Sequence, residues 1–210
     1  MLSRIDEIIF PNRCEVIEIP PLQRFVYPIF KNGSSSLTEY ARQQGYKTLF
    51  NEQIKRISII DVVLRDPMSR FLSGFNTYVY NTKQANPQLD INTIIYFAEN
   101  YLFLDRHYAP QLSWLLHLNK YLHKDAQLKL HDISSLSMFT PLATKPNKEN
   151  LLNIQVVDRL KVNTHNEMYQ RMDHLLLDLI GKEVTFTEIL NHLKAQDPIA
   201  YQKLLCIALD

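Results

Sequence analysis

The sequence predicts an α/β domain in which a short central parallel sheet is flanked by helices and followed by a helical C-terminal portion. Two segments predict the sheet. Residues 24–30 and residues 57–64 are short runs of β-branched, aliphatic and aromatic side chains, and each is followed by turn-forming residues and a helix-compatible stretch. A third segment predicts the helical portion, because residues 150–210 carry helix start and stop signals.

The composition fits a single domain that spans residues 1–210. Hydrophobic residues make up 46% of the 210 positions, which is enough for a sizeable core. The 23 Lys and Arg residues nearly balance the 22 Asp and Glu residues, so the formal net charge of +1 gives no general reason to expect a nucleic-acid or membrane partner. Any anion-binding site must therefore be local.

The sequence also predicts a soluble, cytoplasmic protein without a membrane span. No stretch approaches the roughly 18 consecutive apolar residues that a span requires. Residues 1–10 contain two acids, Asp6 and Glu7, where a signal peptide would have a basic start. The two cysteines, Cys14 and Cys206, lie near opposite ends of the chain, which fits buried thiols in a reducing compartment.

The elements follow in chain order from local signals. Residues 24–30 predict a strand, and residues 37–44 predict a helix after a glycine- and serine-rich loop. Residues 57–64 are nearly continuous in Ile, Val and Leu, as expected of a parallel strand that is covered on both faces. Asp66 can then cap a helix in which Pro67 occupies the first position.

The second half of the chain continues this alternation before it becomes helical. Asp90 precedes a predicted helix that reaches about Leu104, and residues 128–133 alternate like a strand. Residues 139–150 contain two prolines and mixed polar side chains, which predicts a mobile loop. Further elements of the helical portion are a helix over 167–180 that stops at Gly181, and a capping box formed by Thr185 and Glu188.

The loop after the first predicted strand has the chemistry of an anion site. Successive backbone N–H groups at a helix start, with the helix dipole behind them, form a nest for a phosphate or sulfate. Lys31 stands at the start of the loop, where its charge can neutralise the oxygen of a departing phosphate. The pattern also fits an ordinary serine-rich turn, and it is not a Walker A loop, because the lysine comes first. The predicted anion-binding residues are Lys31, Asn32, Gly33, Ser34, Ser35 and Ser36.

A second group of candidate residues follows the strand over 57–64. Arg65 leaves the carboxyl end of that strand, where open α/β sheets gather ligands, and its guanidinium suits a terminal phosphate. Ser73 lies two turns into the next helix and can add a second donor. Arg70 is expected to brace that helix rather than to contact a ligand.

The two segments together resemble the cofactor signatures of the sulfotransferase superfamily, and in particular the carbohydrate sulfotransferases of sulfotransferase family 2. The loop FKNGSSSL at 30–37 resembles the family's loop for the 5'-phosphosulfate. The segment RDPMSRFLSGF at 65–75 resembles the family's segment for the 3'-phosphate. Weaker similarity covers DRHYAPQ at 105–111 and the strand that ends in His131 and Asp132, so the resemblance spans residues 24–136.

This resemblance implies a P-loop-like three-layer fold and a specific reaction. The donor would be 3'-phosphoadenylyl sulfate, and its sulfuryl group would pass to a hydroxyl of a glycan or a small molecule. Lys31 would stabilise the leaving phosphate, the rest of the loop would bind the 5' end, and Arg65 with Ser73 would bind the 3'-phosphate. No metal is expected in this scheme, and residues 24–136 would form the cofactor-binding core.

The general base is the least defined part of the predicted site. Relatives use a glutamate or a histidine, often from the segment after the strand that follows the phosphosulfate loop. In this chain that segment contains Glu52, which is the first candidate, although an acid beside Lys55 also fits a solvated surface residue. His107 is the second candidate, because it lies in a segment similar to a family signature and histidine suits base chemistry at neutral pH.

Two other functions stay open on the sequence. A nucleotide kinase or other phosphotransferase would use a similar phosphate-binding loop. A non-catalytic module would keep the nucleotide fold and bind a glycan or a partner protein instead. Neither alternative accounts for both cofactor segments in their order along the chain.

Overall fold

The structure is a computed structural model that describes residues 14–100, 105–142, 151–152, 154–161 and 164–202. One mixed sheet of six strands organises these residues, in the order β3-β1-β2-β4-β5-β6. The strands are β1 (Glu15–Ile19), β2 (Arg24–Tyr27), β3 (Thr48–Phe50), β4 (Ile59–Leu64), β5 (Gln127–Asp132) and β6 (Glu183–Thr185).

Parallel pairing is confined to the centre of the sheet. β4 pairs with β2 on one side and with β5 on the other, and both pairings are parallel. β1 pairs antiparallel with both β2 and β3, and β6 pairs antiparallel with β5. The carboxyl ends of β2 and β4 therefore lie side by side at one edge of the sheet.

Seven α-helices accompany the sheet in the part of the chain that the structure describes. They are α1 (Ser34–Gln44), α2 (Pro67–Ala85), α3 (Ile91–Asn100), α4 (Gln111–Asn119), α5 (Ile154–Lys161), α6 (Thr164–Leu177) and α7 (Phe186–Gln196). Short 3-10 helices occur at Pro20–Leu22, Asn51–Arg56 and Ile133–Met138. None of the described helices is long and apolar enough to cross a membrane.

The α/β fold class is confirmed, and the sheet corrects one part of the prediction. The predicted strands over 24–30, 57–64 and 128–133 appear as β2, β4 and β5, which form the expected short parallel sheet. The sheet is larger and mixed, because three antiparallel strands that the sequence did not predict extend its edges. Two of these, β3 and β6, have only three residues each, so they are too short to show an alternating pattern in the sequence.

The predicted helices are present with shifted bounds. α1 begins three residues before the predicted start at residue 37, and α6 ends at Leu177, before the predicted end at residue 180. The helix predicted after Asp90 appears as α3, and its last predicted residues, 101–104, lie outside the described residues. The predicted loop also lies outside them over residues 143–150.

The sequence predicted the caps of two helices correctly. The Asp66 carboxylate accepts a hydrogen bond from the backbone N–H of Ser69 at 2.8 Å, and Pro67 occupies the first turn of α2. At the start of α7 the Thr185 hydroxyl and the Glu188 carboxylate bond reciprocally to each other's backbone N–H groups. Both devices satisfy donors that a helix start would otherwise leave unpaired.

Apolar side chains cover both faces of the sheet. Val62 and Leu64 of β4 point into a large core that also contains Phe75 of α2 and Leu115 of α4. Val63, the residue between them, points into a smaller core on the opposite face. Alternate residues of one strand are thus buried on opposite sides, as expected of a strand covered on both faces.

A buried polar cluster lies on the face of the smaller core. Asp61 of β4 is 1% exposed and accepts a hydrogen bond from Arg24 Nε at 2.6 Å. His131 Nε2 lies 2.6 Å from Asp61 Oδ1, and the His131 ring packs edge-on against Phe139. These contacts join β2, β4 and β5 across the sheet.

Helix α2 approaches the chain segment before α4 so closely that only glycine fits at one position. A Cβ atom at Gly74 would lie 2.0 Å from the backbone oxygen of His107 and 2.8 Å from the Cα of Tyr108. The obstructing atoms belong to the backbone, so they cannot rotate away as a side chain would. Gly74 therefore sets the separation between α2 and the segment that contains His107.

We predict that Gly74→Ala lowers the free energy of unfolding by about 2 kcal/mol, because overpacking a close contact costs roughly 1–3 kcal/mol. Alanine favours a helix by roughly 0.5–1 kcal/mol over glycine, so propensity alone would give the opposite sign. Urea unfolding of both proteins measures the difference.

The matched control is Gln84→Ala, at an exposed position of the same helix. It should change the free energy of unfolding by no more than about 0.5 kcal/mol. Unfolding curves of Gly74→Ala that superimpose on the wild type would contradict the close approach of α2 to His107.

Candidate functional site

The loop between β2 and α1 has the backbone of an anion nest. Lys31 and Gly33 both have positive φ angles, 68° and 83°, and Gly33 is the N-cap of α1. Left-handed residues in such a turn direct nearby N–H groups to one side, next to the unpaired N–H groups of the helix start. A Cβ at Gly33 would lie 2.2 Å from Leu136 Cδ2, so the backbone angle and the packing both favour glycine.

The serines of this loop form the first turn of α1. Ser34 and Ser36 are buried, whereas Ser35 is exposed. Asn32 is also buried, and its amide Nδ2 donates to the Val63 carbonyl at 2.8 Å. The Asn32 side chain therefore turns into the protein and fixes the loop to the end of β4.

The Lys31 side chain extends from the loop to helix α2. Its Nζ lies 2.7 Å from Thr77 Oγ1, and the Thr77 hydroxyl donates to the Ser73 carbonyl at 3.0 Å. The ammonium group is therefore held on the face of α2 that carries Ser73. Two predicted site residues, Lys31 and Ser73, are brought together in this way.

The Arg65 side chain joins the two predicted cofactor segments. Its Nη1 donates a hydrogen bond to the backbone carbonyl of Lys31 at 3.2 Å. Arg65 follows the last residue of β4, and Lys31 lies four residues after the end of β2, the neighbouring parallel strand. The two cationic residues thus occupy the same edge of the sheet, where open α/β sheets bind ligands.

Gln111 locks these two loops to each other. Its Oε1 accepts from the backbone N–H of Arg65 at 2.9 Å and from Asn32 Nδ2 at 2.6 Å, and its Nε2 donates to the Arg65 carbonyl at 2.9 Å. The side-chain amide thereby pairs with Arg65 as a neighbouring strand would. Gln111 is fully buried, so water cannot replace these bonds.

Two buried charged residues, Arg70 and Asp173, support the same region. Arg70 donates to the carbonyls of Phe30 and Ala109, at 3.1 and 2.5 Å. Asp173 of α6 accepts from the first two N–H groups of α4, those of Gln111 and Leu112, at 2.7 and 2.9 Å. Arg70 thus braces the loops from inside the protein rather than facing a ligand.

Burial disfavours the charge on both of these residues. It lowers the pKa of Arg70 to about 10, although the nearby Asp173 charge acts in the opposite direction. It also raises the pKa of the Asp173 carboxyl, against the effects of Arg70 and of the two backbone N–H groups. Desolvation outweighs attraction in both cases, so the two charges place backbone groups at a cost in stability.

His107 lies beside the loop and forms a pair with Asp105. Its Nδ1 is 2.5 Å from Asp105 Oδ1, and its ring centroid is 5.4 Å from that of Phe30, the residue before Lys31. The Arg106 guanidinium lies over the same Phe30 ring, 4.7 Å from its centroid. A histidine and an exposed cation therefore border the loop at 31–36 (the lysine loop).

Glu52 has a different environment. It lies in the 3-10 helix after β3, and β1 separates β3 from β2 in the sheet. Its side chain is 74% exposed and pairs with Lys55 at 2.5 Å, which is the surface arrangement that the sequence left open. No described contact joins it to Lys31 or Arg65.

Several residues that shape the site were not predicted. Thr77 and Asp105 could have been found from local spacing, since one lies a helical turn after Ser73 and the other lies two residues before His107. Asp173 could not, because its contact joins residues 62 positions apart. Gln111 was part of a recognised segment, but the sequence does not reveal that its amide pairs with Arg65.

The site is cationic and has no metal cluster in the described residues. Lys31, Arg65 and Arg106 contribute positive charge around the lysine loop. No group of three or more His, Cys, Asp or Glu side chains is arranged to hold a metal ion within the described ranges. An anionic ligand that bridges the two loops is what this arrangement suits best.

Comparisons with protein-family models, with curated proteins and with solved structures find no match to this chain. Its function is therefore inferred from its own residues and their geometry.

We predict that Gln111→Leu lowers the free energy of unfolding by about 3 kcal/mol, since each buried polar group left without a partner costs roughly 1–3 kcal/mol. Leucine keeps a similar volume but removes every hydrogen bond to Arg65 and Asn32. Urea unfolding measures the loss.

The control is Gln43→Leu on α1, where the wild-type amide is exposed and donates to Glu39 Oε1 at 2.9 Å. Its effect should stay within about 0.5 kcal/mol. If the two leucine variants are equally stable, Gln111 does not hold the loops together.

Proposed function

We propose that the protein is a sulfotransferase that uses 3'-phosphoadenylyl sulfate and transfers its sulfuryl group to a hydroxyl of an acceptor. A glycan is the acceptor class favoured by the resemblance to sulfotransferase family 2. We also propose that the helices and the sheet form the P-loop-like three-layer fold of that superfamily. The adjacent parallel strands β2 and β4, each with a ligand-type loop at its carboxyl end, support this part.

One observation carries the proposal: Arg65 Nη1 contacts the backbone of Lys31 at 3.2 Å. The donor has an anionic group at each end, a phosphosulfate on the 5' side and a phosphate on the 3' side. A site for it therefore needs two cationic regions within one nucleotide's reach. The opposite arrangement, with the two motifs on different sides of the molecule, would have excluded the proposal.

The lysine loop fits the end of the donor at which the reaction occurs. The N–H groups around Gly33 and the start of α1 would bind the oxygens of the phosphosulfate. Ser34 and Ser36 add hydroxyl groups in the same turn. The close contact between Gly33 and Leu136 leaves room for backbone but not for a side chain at this point.

Charge stabilisation is the main catalytic effect that this chain would supply. The acceptor oxygen bonds to sulfur while the bond between sulfur and the phosphate oxygen breaks, so negative charge builds on that oxygen. Lys31 carries the ammonium group nearest to the loop, and it would stabilise this charge. Holding donor and acceptor in line supplies most of the remaining acceleration.

The proton of the acceptor hydroxyl would pass to His107. Its ring is 5.4 Å from Phe30, next to Lys31, and a neutral imidazole can accept a proton near neutral pH. Glu52 is less suitable, because it is largely exposed and pairs with Lys55. The structure therefore favours the second of the two sequence candidates as the base.

A cytoplasmic location forms part of the proposal. Cys14 is a buried thiol, 1% exposed, and burial raises its pKa to about 12. Such a thiol is protonated and unreactive at neutral pH, which suits a structural cysteine in a reducing compartment.

We expect Arg65→Ala to weaken binding of 3'-phosphoadenosine 5'-phosphate by roughly 10–100-fold, because hydrogen bonds to charged groups contribute roughly 1.5–3 kcal/mol. Ser73→Ala should weaken it about fivefold, as expected for one neutral donor. Isothermal titration calorimetry measures both affinities.

Arg42→Ala serves as the control, because Arg42 is exposed on α1 and pairs with Glu39. Its affinity for the nucleotide should match the wild type within a factor of two. Unchanged affinity in both Arg65→Ala and Ser73→Ala would remove the 3'-phosphate assignment. Greater thermal stabilisation by ATP with magnesium than by 3'-phosphoadenosine 5'-phosphate would favour a kinase instead.

Lys31→Ala should reduce turnover by about 100-fold or more, in line with the loss of one preorganised group at a developing charge. Nucleotide affinity should fall much less, because the proposed contact strengthens in the transition state. Release of labelled sulfate from 3'-phosphoadenylyl sulfate to water provides the rate, and calorimetry provides the affinity.

The control for this variant is Lys55→Ala, which removes an exposed lysine paired with Glu52. Both its rate and its affinity should match those of the wild type. Equal losses of rate and affinity in Lys31→Ala would assign Lys31 to ground-state binding.

A further inference from the structure

Asp105 makes two hydrogen bonds to His107 with one carboxylate oxygen. Its Oδ1 accepts from the backbone N–H of His107 at 2.7 Å and lies 2.5 Å from the ring Nδ1. The first contact is a local turn between residues two positions apart. The second fixes the rotation of the imidazole ring relative to the backbone.

The carboxylate also determines which ring nitrogen carries the proton. Burial alone raises the pKa of the Asp105 carboxyl, but the hydrogen bonds from His107 and the charge of Arg106 outweigh it, so the pKa lies below its usual value. An ionised carboxylate only accepts hydrogen bonds, so Nδ1 must be the donor. In neutral His107 the lone pair is then on Nε2, which is the form that a base requires.

The surrounding residues hold this imidazole next to the lysine loop. Its ring packs on Phe30 with an interplanar angle of 46°, and the Phe30 carbonyl is fixed by Arg70. On the backbone side, Gly74 of α2 packs against the His107 carbonyl. Phe30 and Gly74 thus help to hold the ring and the backbone in place, and the position of the ring proton depends on Asp105.

Two other aspartates of the protein show that a turn of this kind does not require a contact between the carboxylate and a histidine ring. Asp132 makes the same kind of turn with the backbone N–H of Ser134 at 2.8 Å, without a histidine partner. His123 and Asp125 also lie two positions apart, but they are mostly exposed. Their ring Nδ1 and carboxylate Oδ2 are 3.6 Å apart, and Nδ1 instead accepts from the Asp125 backbone N–H at 3.3 Å. The Asp105–His107 pair combines the turn, the short ring contact and a place beside the lysine loop.

We propose that Asp105 is a positioning residue that holds His107 in the tautomer with its basic nitrogen, Nε2, available to the acceptor hydroxyl. This inference rests on the proposed function, since His107 is the base only if the chain transfers a sulfuryl group. The proton passes from the acceptor oxygen to Nε2 as the oxygen–sulfur bond forms. Asp105 keeps its charge and stabilises the imidazolium that results.

The tautomer can be measured without any reaction. Long-range ¹H–¹⁵N spectra of protein with ¹⁵N-labelled histidine, at a pH where the imidazole is neutral, distinguish the two ring nitrogens. We expect Nδ1 of His107 to be protonated in the wild type, with the signal assigned by its loss in His107→Gln. In Asp105→Asn the proton should shift towards Nε2, because the amide NH₂ group can donate to Nδ1.

Hydrolysis of 3'-phosphoadenylyl sulfate tests the catalytic consequence, with water as the acceptor. Asp105→Asn should lower the rate of labelled sulfate release by up to about 100-fold, because general base catalysis is lost. Its affinity for 3'-phosphoadenosine 5'-phosphate should stay within a factor of two. Asp105→Glu, which keeps the charge on a longer side chain, should recover a part of the rate.

The matched control is Asp125→Asn, which removes the carboxylate of the exposed His123–Asp125 pair. It should change neither the rate nor the His107 spectrum. An unchanged tautomer in Asp105→Asn, or an unchanged rate of sulfate release, would overturn the inference. Wild-type protein that binds the nucleotide but releases no sulfate would also overturn it, because no base would then act at His107.

Failure of the proposed function would give different experimental results from failure of the inference about Asp105. Wild-type protein that binds neither 3'-phosphoadenosine 5'-phosphate nor its sulfated form would reject the sulfotransferase, and with it the catalytic role of Asp105. The spectra would still decide whether Asp105 controls the His107 tautomer. The two failures are therefore separated by the calorimetric titration of the wild type.

Discussion

The side-chain amide of Gln111 is the contact on which the candidate site depends. It bonds to both backbone groups of Arg65 and to the Asn32 amide, so it joins the loops that follow β4 and β2. In a buried region every unpaired polar group is costly, so such a network favours one arrangement of the loops over all others.

Four charged residues of the candidate site divide into two groups with different tasks. Arg70 and Asp173 are buried, and each uses its charge to bind backbone groups of the segments that frame the site. Their pKa shifts show that burial opposes both charges, so they contribute position more than stability. Lys31 and Arg65 lie at the edge of the sheet, where a ligand can reach them. The protein thus uses buried charge to place the charge that a ligand meets.

The sequence predicted the parts of the fold and site that depend on local signals. Central strands, helix caps and the lysine loop each have a pattern within about ten residues, and these appear where they were expected. Antiparallel edges were not predicted, because a three-residue strand is defined by its neighbour in the sheet rather than by its own composition. The same limit applies to Asp173, which reaches Gln111 from 62 positions away. The role of Gln111 depends on that distant partner as well as on Arg65.

Because Asp173 belongs to α6, the support of the candidate site is completed late in the synthesis of the chain. The carboxylate that caps α4 is synthesised only after β2, β4 and β5 and after the loops that carry Lys31 and Arg65. A nascent chain can therefore pair its central strands on the ribosome while the start of α4, and with it Gln111, lacks its partner. Since synthesis proceeds at about 5–20 residues per second, the candidate site is completed seconds after its first loop has been synthesised. Until α6 follows, the loops of the candidate site lack part of the support that holds them in the folded protein.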